Sequence, residues 1–240
     1  MARREQLERL RDFDSSLLVN TLDFVDPTPA HECYMSGDIQ SQTPALGPVC
    51  GVAITCELDS STPGMAWDMG PFWKILEQIE QTAEPVILVI KQAGSRPEHE
   101  CVVGDGMAKA LYAAGCFGAV TDGQVRDVDG LLTVPFSTHA RGRCVHHCAF
   151  GFKSVQEPVE VGGLTIRHGE VLHAGADGVI RIPEAALDKL ADAAPRLVAA
   201  EHEQHEIYRR TDLSAREKAG LVGGLLKKHG FEKRYPGSGG

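Results

Sequence analysis

The apolar positions change period several times along the chain, and each period predicts an element. Leu7, Leu10 and Phe13 fall at helical spacing within residues 4–13. Asp14 or Ser15 is placed to cap a second short helix through Leu17, Leu18 and Leu22. A loop rich in Pro, Gly and Ser covers roughly 26–48, and VCGVAITCEL at 49–58 reads as a strand. PFWKILEQIEQ, 71–81, opens on a proline and puts Phe72, Ile75, Leu76 and Ile79 on one face, which predicts a helix. PVILVI at 85–90 and ECVV at 100–103 are short continuous apolar runs, the pattern of strands buried on both faces.

Gly104-Asp105-Gly106 follows, then the helical run MAKALYAAG and a third buried strand, CFGAVT. LTVPFST at 132–138 predicts a further strand, VEVGGLTIRHGEVL at 159–172 a hairpin around Gly162-Gly163, and GVIRIP at 178–183 another alternating strand. From Pro183 the period is helical: EAALDKLADAA, an interruption at Pro195, then RLVAAEHEQHEIYRR. A last helix is expected from Ser214, its N-cap, to a stop at Gly230, and the tail RYPGSGG is expected to be disordered. The fold class is mixed α/β. The simplest division is one α/β domain over 1–183 and a C-terminal helical arm over 184–240. EHEQHEIYRR at 201–210 has so few apolar anchors that the arm is expected to pack on a neighbouring subunit.

Charge and composition narrow the function. With 24 Lys and Arg against 33 Asp and Glu, the net charge of −9 gives no counterion-release drive toward a polyanion, so nucleic acid is not an expected partner. No apolar run is long enough to predict a membrane span, and the charged MARREQLERLRDF lacks the apolar core of a secretory signal. Cysteines stand at 33, 50, 56, 101, 116, 144 and 148, odd in number and fitting no disulfide framework, which points to reduced thiols and a cytoplasmic protein. CVHHC, 144–148, invites a zinc reading; its spacing matches no common zinc pattern, and small thiols with ordinary histidines are the expectation.

The chemistry concentrates in VVGDGMAKALYAAGCFGAVTDGQVRD, 102–127. Strand 100–103, helix 107–115 and strand 117–121 read as a right-handed βαβ unit, whose two strands are parallel and close in space. Ligands of open α/β sheets bind beyond the carboxyl ends of such strands. Asp105 follows the first strand; Asp122, Arg126 and Asp127 follow the second. The helix start leaves the amides of about Asp105, Gly106 and Met107 without intrahelical partners, a seat for a carboxylate. Arg126 can clamp a carboxylate through two parallel hydrogen bonds, and Asp105 and Asp127 are hard oxygen donors suited to Mg²⁺ or Mn²⁺. As sequence neighbours, Arg126 and Asp127 serve one site only if the backbone turns there, and Gly123 lies just upstream. Taken singly, each feature has an ordinary reading: Asp105 as a helix cap, Arg126-Asp127 as a solvated turn, and Gly104-Asp105-Gly106 as a loop that is no dinucleotide fingerprint.

The spacing is more specific than its parts. Asp105, then 20 residues, then Arg126-Asp127 resembles the D-x20-R-D signature of the RraA-like family, which includes the 4-hydroxy-4-methyl-2-oxoglutarate / 4-carboxy-4-hydroxy-2-oxoadipate aldolases and proteins named as regulators of ribonuclease E. GAVTDGQVRDVDGL and PVEVGGLTIRHGEVLHAGADGVIRIP also resemble segments of that family, and the resemblance covers roughly 15–200. It implies a β/β/α sandwich of the swivelling-domain type, assembled as a homotrimer or homohexamer, to which the helical period adds a C-terminal helical extension whose last helix, 213–230, lies outside the resemblance. It implies divalent-metal-dependent cleavage of a 4-hydroxy-2-oxo acid to pyruvate through an enolate, with oxaloacetate decarboxylation as a side activity. Under this resemblance Asp127 holds Mg²⁺ or Mn²⁺, Arg126 holds the pyruvyl group, Asp105 acts near a metal-bound water, and the backbone of Gly104, Gly106 and Met107 meets the substrate carboxylate. A neighbouring subunit's C-terminal helix is expected to add an acidic residue, with Glu201, Glu203 and Glu206 as candidates. The chain departs from the family's pattern at Gly175, where Asp is frequent, and at RHGE, 167–170, which stands for PGD.

Two competing chemistries follow from the same residues. A Schiff-base aldolase needs a desolvated lysine, for which Lys109 and Lys91 are candidates, each also a plain solvated charge. A non-catalytic, protein-binding regulator is the alternative function. The far end of a substrate would be read by loops 26–48, 59–70 and 139–152. There His139, Arg141, Arg143, His146 and His147 make either a cationic pocket for a di- or tricarboxylate or a solvated basic loop.

Overall fold

Eight strands form the main sheet of the computed structural model, which describes residues 3–231 and 235. Its order is Gln40–Ser41, Ser137–Ala140, Cys116–Thr121, Val86–Gln92, Val49–Asp59, Val171–Gly175 and Gly178–Ile182, with Gly151–Val155 also paired to Val49–Asp59. The centre is parallel, with Ala53 opposite Ile87, Leu88 opposite Ala119, and Ala119 opposite Thr138. This is where the continuous apolar runs belong, because a parallel strand is covered on both faces; Val86 to Ile90 are all buried. The flanking strands Val171–Gly175 and Gly151–Val155 run antiparallel to Val49–Asp59.

Local chemistry explains the helices. The Asp14 carboxylate accepts from the Leu17 amide at 2.6 Å and so caps Ser15–Val25. Pro71 stands in the first turn of Gly70–Gln81, whose buried residues are Phe72, Ile75, Leu76 and Ile79, the face read from the sequence. Ser214 and Glu217 form a reciprocal capping box on Ala215–Val222.

Four expectations are corrected. The run 132–138 is mostly turn, and its strand starts only at Ser137, past Pro135, which has no amide to give a ladder. The hairpin is limited to Val159–Val161 and Leu164–Ile166, while Val171–Gly175 joins the main sheet. The last helix breaks at Gly223-Gly224, leaving Leu225–Lys228 as a separate turn. Pro195 does not interrupt its helix, which is continuous over Leu187–Arg209. A proline inside a helix orphans the carbonyl four residues back. Here that carbonyl, on Ala191, accepts from Arg9 Nη2 at 3.3 Å. Apart from Tyr235, the tail 234–240 lies outside the described residues.

The arm's first half shares the core of the helices at the other end of the sequence: Leu187, Leu190, Ala194 and Leu197 are buried in one apolar cluster with Leu7, Leu10 and Leu18. No helix among the described residues is long and apolar enough to cross a membrane. All seven cysteines are free, and five of them are buried.

One buried polar contact fastens Ser15–Val25 to the sheet. His173, fully buried, lies 2.9 Å from Ser15 Oγ through Nδ1, and Ser15 Oγ donates to the Gly178 carbonyl at 3.2 Å. Burial pushes the His173 pKa down to about 4, against the opposing pull of the Leu10 and Phe13 carbonyls. The folded state therefore holds a neutral imidazole that the unfolded chain protonates below about pH 6.5. Stability is lost as pH falls from that value toward 4 and levels off below it, by about 3 kcal/mol in full. In urea unfolding, His173→Gln is expected to flatten the pH dependence between 6.5 and 4; a slope equal to that of the wild type would refute the assignment.

Candidate active site

A second sheet, of three short strands, organises the site. Cys101–Val103 pairs in parallel with Gln124–Val125, which pairs in parallel with Gly142–Arg143. The expected βαβ pairing is corrected here. Cys116–Thr121, the strand after the helix, belongs to the main sheet, and the partner of Cys101–Val103 is the two-residue strand that follows it. Gly123 permits the switch of sheets. A Cβ there would meet the Glu100 carbonyl and Val102 Cγ1 at 3.2 Å each, so the crossing is tight enough to favour a residue with no side chain.

Asp122 leaves the site at this turn. It is buried, accepts from the Gln92 amide at 2.8 Å and is paired with Lys91 Nζ. Lys91 is thus a charge held by a carboxylate and not a desolvated amine. Glu100, also buried, accepts from the amides of Ser60 and Gly94 and pins the nearby loops; burial raises its pKa against those hydrogen bonds.

Arg126 and Asp127 meet the other half of the motif as required. The Arg126 amide donates to the Val103 carbonyl at 3.0 Å, which fixes it beside the end of Cys101–Val103. Asp127 has φ 58° and ψ 43°, the left-handed conformation that Asp tolerates better than most residues. This is the turn that lets neighbouring residues serve one site: Arg126 Nε lies 3.1 Å from Asp127 Oδ2. Gly104 lies directly against the pair. A Cβ on it would sit 3.1 Å from both Arg126 Nε and Asp127 Oδ2.

Asp105 stands in the first turn of Asp105–Ala114, which begins two residues earlier than the period suggests. Its carboxylate pairs with Lys109 Nζ at 2.6 Å. Lys109, together with the Gly106 amide and the Arg126 charge, holds the Asp105 carboxyl below its ordinary pKa, so it is ionised at neutral pH. Gly106 faces open space, and Met107 packs its side chain on the core. Asp105 also touches the short helix Val128–Leu131: a Cβ on Gly130 would lie 2.7 Å from Asp105 Cβ. The exposed Arg126–Asp127 pair contributes little to stability, so its effect is positional.

Beside the pair opens a cleft of about 380 Å³, lined among others by Arg126, Asp127, Asp129, Arg143, Cys144 and Val145. Sequence reasoning missed Gly130, Asp129 and the pairing role of Lys109. The last was visible as an acid and a base four residues apart on a helix. The cleft lining includes none of Glu201, Glu203 and Glu206. Glu203 is engaged within its own chain by Lys228 Nζ at 2.6 Å and His229 Nε2 at 3.0 Å, and Glu206 by Arg209 at 3.4 Å. Among the described residues no group of three or more His, Cys, Asp or Glu is gathered to hold a metal. In CVHHC, Cys144 Sγ donates to the His146 carbonyl and Cys148 Sγ to that of Ser61.

The Gly130 contact generates a prediction. Gly130→Ala is helix-compatible locally but must displace Asp105. It is expected to cost about 1–3 kcal/mol of stability. Thermal unfolding checks this; an unchanged transition would show that Asp105 yields without cost.

Comparison with known proteins agrees with the spacing. The family model RraA-like, described as Aldolase/RraA, matches residues 21–181. A protein of Ectopseudomonas mendocina with the provisional name 4-hydroxy-4-methyl-2-oxoglutarate aldolase is 30% identical over 121 residues, 46% of this chain and 68% of its own. Across such relatives the matched stretch spans as little as 52% of their length. A solved structure from Pseudomonas syringae pv. tomato, of an uncharacterized protein, superposes with a TM-score of 0.68 at 20% identity, covering 90% of this chain and 93% of that one. RraAS2 of Streptomyces coelicolor, titled an unusual member of the RNase ES inhibitor RraA protein family, superposes with a TM-score of 0.62 at 21% identity, covering 86% and 96%. At these identities the two structures establish a shared fold. With the family model matched over most of its length, the chain belongs to the RraA-like family.

Proposed function

We propose that the chain is a divalent-metal-dependent carbon–carbon lyase that cleaves a 4-hydroxy-2-oxo acid to pyruvate. The observation that carries this reading is the turned Arg126-Asp127 pair on the rim of an open cleft, with Gly104 packed directly against the pair and Asp105 next to it in sequence. The aldolase names of relatives at about 30% identity support the reaction class. The likeness to the ribonuclease inhibitor is one of fold, and no feature of the cleft favours a regulator over an enzyme.

The residues present fit Mg²⁺ or Mn²⁺. Asp127 offers one half-exposed carboxylate at the rim of the cleft. Mg²⁺ is held by one or two carboxylates and keeps several waters, so a lone hard oxygen donor suits it and would not suit a structural zinc site. Asp127 would hold the ion, which when bound supplies Lewis-acid polarisation of the substrate's keto group.

The chain's own groups account for the rest. Arg126 has a guanidinium beside the position of the pyruvyl end and stabilises the negative charge that develops on the keto oxygen. The amide of Met107, in the first turn of a ten-residue helix, would meet the substrate carboxylate, and that of Gly106 would do so by exchanging its contact with Asp105. Loss of the C4 hydroxyl proton turns that oxygen into a carbonyl. The C3–C4 bond breaks, its electron pair passes into the enolate of pyruvate, and a proton returned at C3 completes the product. A carboxylate held below its ordinary pKa stays ionised at neutral pH, so Asp105 can accept, through an intervening water, the proton that leaves the C4 hydroxyl. Oxaloacetate yields the same enolate when CO₂ leaves, which makes its decarboxylation the expected side activity. A homotrimer or homohexamer belongs to this reading, with an acidic side chain of one subunit's Leu187–Arg209 helix completing the cleft of the next.

Pyruvate release from 4-hydroxy-2-oxo acids and from oxaloacetate, with Mg²⁺ and after chelation, tests the proposal. Chelation is expected to abolish turnover and Mg²⁺ to restore it. Asp127→Ala and Arg126→Ala are each expected to lower kcat/KM by about a thousandfold with unchanged unfolding transitions. Turnover retained in either variant, or a covalent adduct trapped by borohydride with pyruvate, would defeat the metal-lyase reading.

A further inference from the structure

The geometry points to a second binding site, for a zwitterionic α-amino acid with an aliphatic side chain, in the cavity between the turn 167–170 and the segment 28–32. The cavity shares no lining residue with the cleft beside Arg126, so its ligand is independent of the reaction there.

The sequence marks this place by departing from the family's pattern: RHGE at 167–170 puts Arg167 and His168 where a PGD turn is usual. The four residues make a tight turn. The Glu170 amide donates to the Arg167 carbonyl at 3.2 Å, Gly169 takes φ 84°, and the Glu170 carboxylate accepts from the Arg167 amide at 2.8 Å. The Gly169 amide donates to the Ala53 carbonyl at 2.8 Å and so pins the turn to Val49–Asp59. Arg167 and His168 are left exposed, and both line a cavity of about 580 Å³. It is larger than the cleft of about 380 Å³ and falls within the roughly 300–1,000 Å³ of small-molecule sites. Val171 and Ile182, opposite each other in the antiparallel register, line it with apolar surface.

The charges around the cavity are mixed, and most are already paired. Arg181 Nη1 lies 3.7 Å from Glu170 Oε1, and Arg181 Nη2 donates to the Glu32 carbonyl at 2.7 Å, so one residue ties the turn to Ala30–Glu32. Arg3, from the first helix, reaches Glu184 Oε2 at 2.9 Å and the Gly169 carbonyl at 3.3 Å. Two lining charges remain. Among the described residues no hydrogen bond or ion pair engages the Arg167 guanidinium, and the Glu32 carboxylate meets only the ring of its neighbour His31, at 4.0 Å. With Arg3, Arg167 and Arg181 set against Glu32, Glu170 and Glu184, the surroundings balance in charge. A ligand of net charge is repelled there as much as it is attracted. A molecule with one carboxylate and one ammonium can set each against its opposite. Arg167 offers the carboxylate a bidentate fork, and Glu32 accepts from the ammonium. The apolar surface of Val171 and Ile182 is then left for the side chain, which makes an aliphatic one the best fit.

Titration calorimetry on the full chain with leucine, 4-methylpentanoate and 3-methylbutylamine tests this. The last two are leucine without its ammonium and leucine without its carboxylate. The wild type is expected to bind leucine at least about tenfold more tightly than either. Arg167→Met is expected to weaken leucine by about tenfold or more while moving 3-methylbutylamine less than about twofold, and Arg167→Lys to recover part of the loss. Glu32→Gln is expected to weaken leucine by a similar factor while sparing 4-methylpentanoate. Both side chains are exposed, so the variants are expected to keep the unfolding transition of the wild type. The inference is overturned if leucine gives no saturable heat at millimolar concentration, if either analogue binds as tightly as leucine, if either Arg167→Met or Glu32→Gln binds leucine as the wild type does, or if a variant weakens all three probes equally.

Discussion

The candidate site depends on the parallel pairing of two very short strands, Cys101–Val103 and Gln124–Val125. Without it, Asp105 and the Arg126-Asp127 pair are separate surface features on different loops. The ladder itself is weak, since so few hydrogen bonds, each netting about 1 kcal/mol, barely offset the ordering of the chain. Burial decides the balance. Val102, Val103 and Val125 are each at most 1% exposed, and a fully buried side chain of this size contributes about 1.5–3 kcal/mol. The polar chemistry at the rim therefore stands on an apolar footing directly beneath it.

That footing also holds a backbone conformation that Asp127 would not choose alone. A non-glycine residue in the left-handed region is disfavoured by about 1–2 kcal/mol. Here the Leu131 amide donates to the Asp127 carbonyl at 2.9 Å, and Gly104 leaves room for the side chain on the other side. The strain is local to the residue whose carboxylate most needs a fixed direction, which is where strained backbone tends to be kept.

How much of this was legible depended on the range of the interaction. The helix over 70–81 and its four buried positions follow from a local period, and the capping residue Ser214 from its own side chain. The meeting of Asp105 with Arg126 and Asp127 was legible from spacing, yet by the wrong route. A two-residue strand such as Gln124–Val125 is too short for any periodicity to reveal, so the longer Cys116–Thr121 took its place in the reading. Choosing between them is a competition among sheets, which no window of sequence contains. Pro195 failed for the same reason. The rule that proline breaks a helix assumes an orphaned carbonyl, and the donor that satisfies it is Arg9, at the far end of the chain. Arg143 was visible as one basic residue among five, and only its place in the cleft lining distinguishes it.

The contact between Arg9 and the Ala191 carbonyl has a bearing on synthesis. It is one of a set: Arg3 pairs with Glu184, and Gln6 donates to Asp188. The first helix thus finds part of its partners only past the last strand of the main sheet, though Arg4 also donates to the Ala83 carbonyl. Until then Leu7 and Leu10 have nothing from the later helix to bury against, and an exposed apolar face of this kind is what draws nascent chains into aggregates. The closing clasp joins residues 182 positions apart in the sequence. Contacts of such separation in sequence slow the completion of a core.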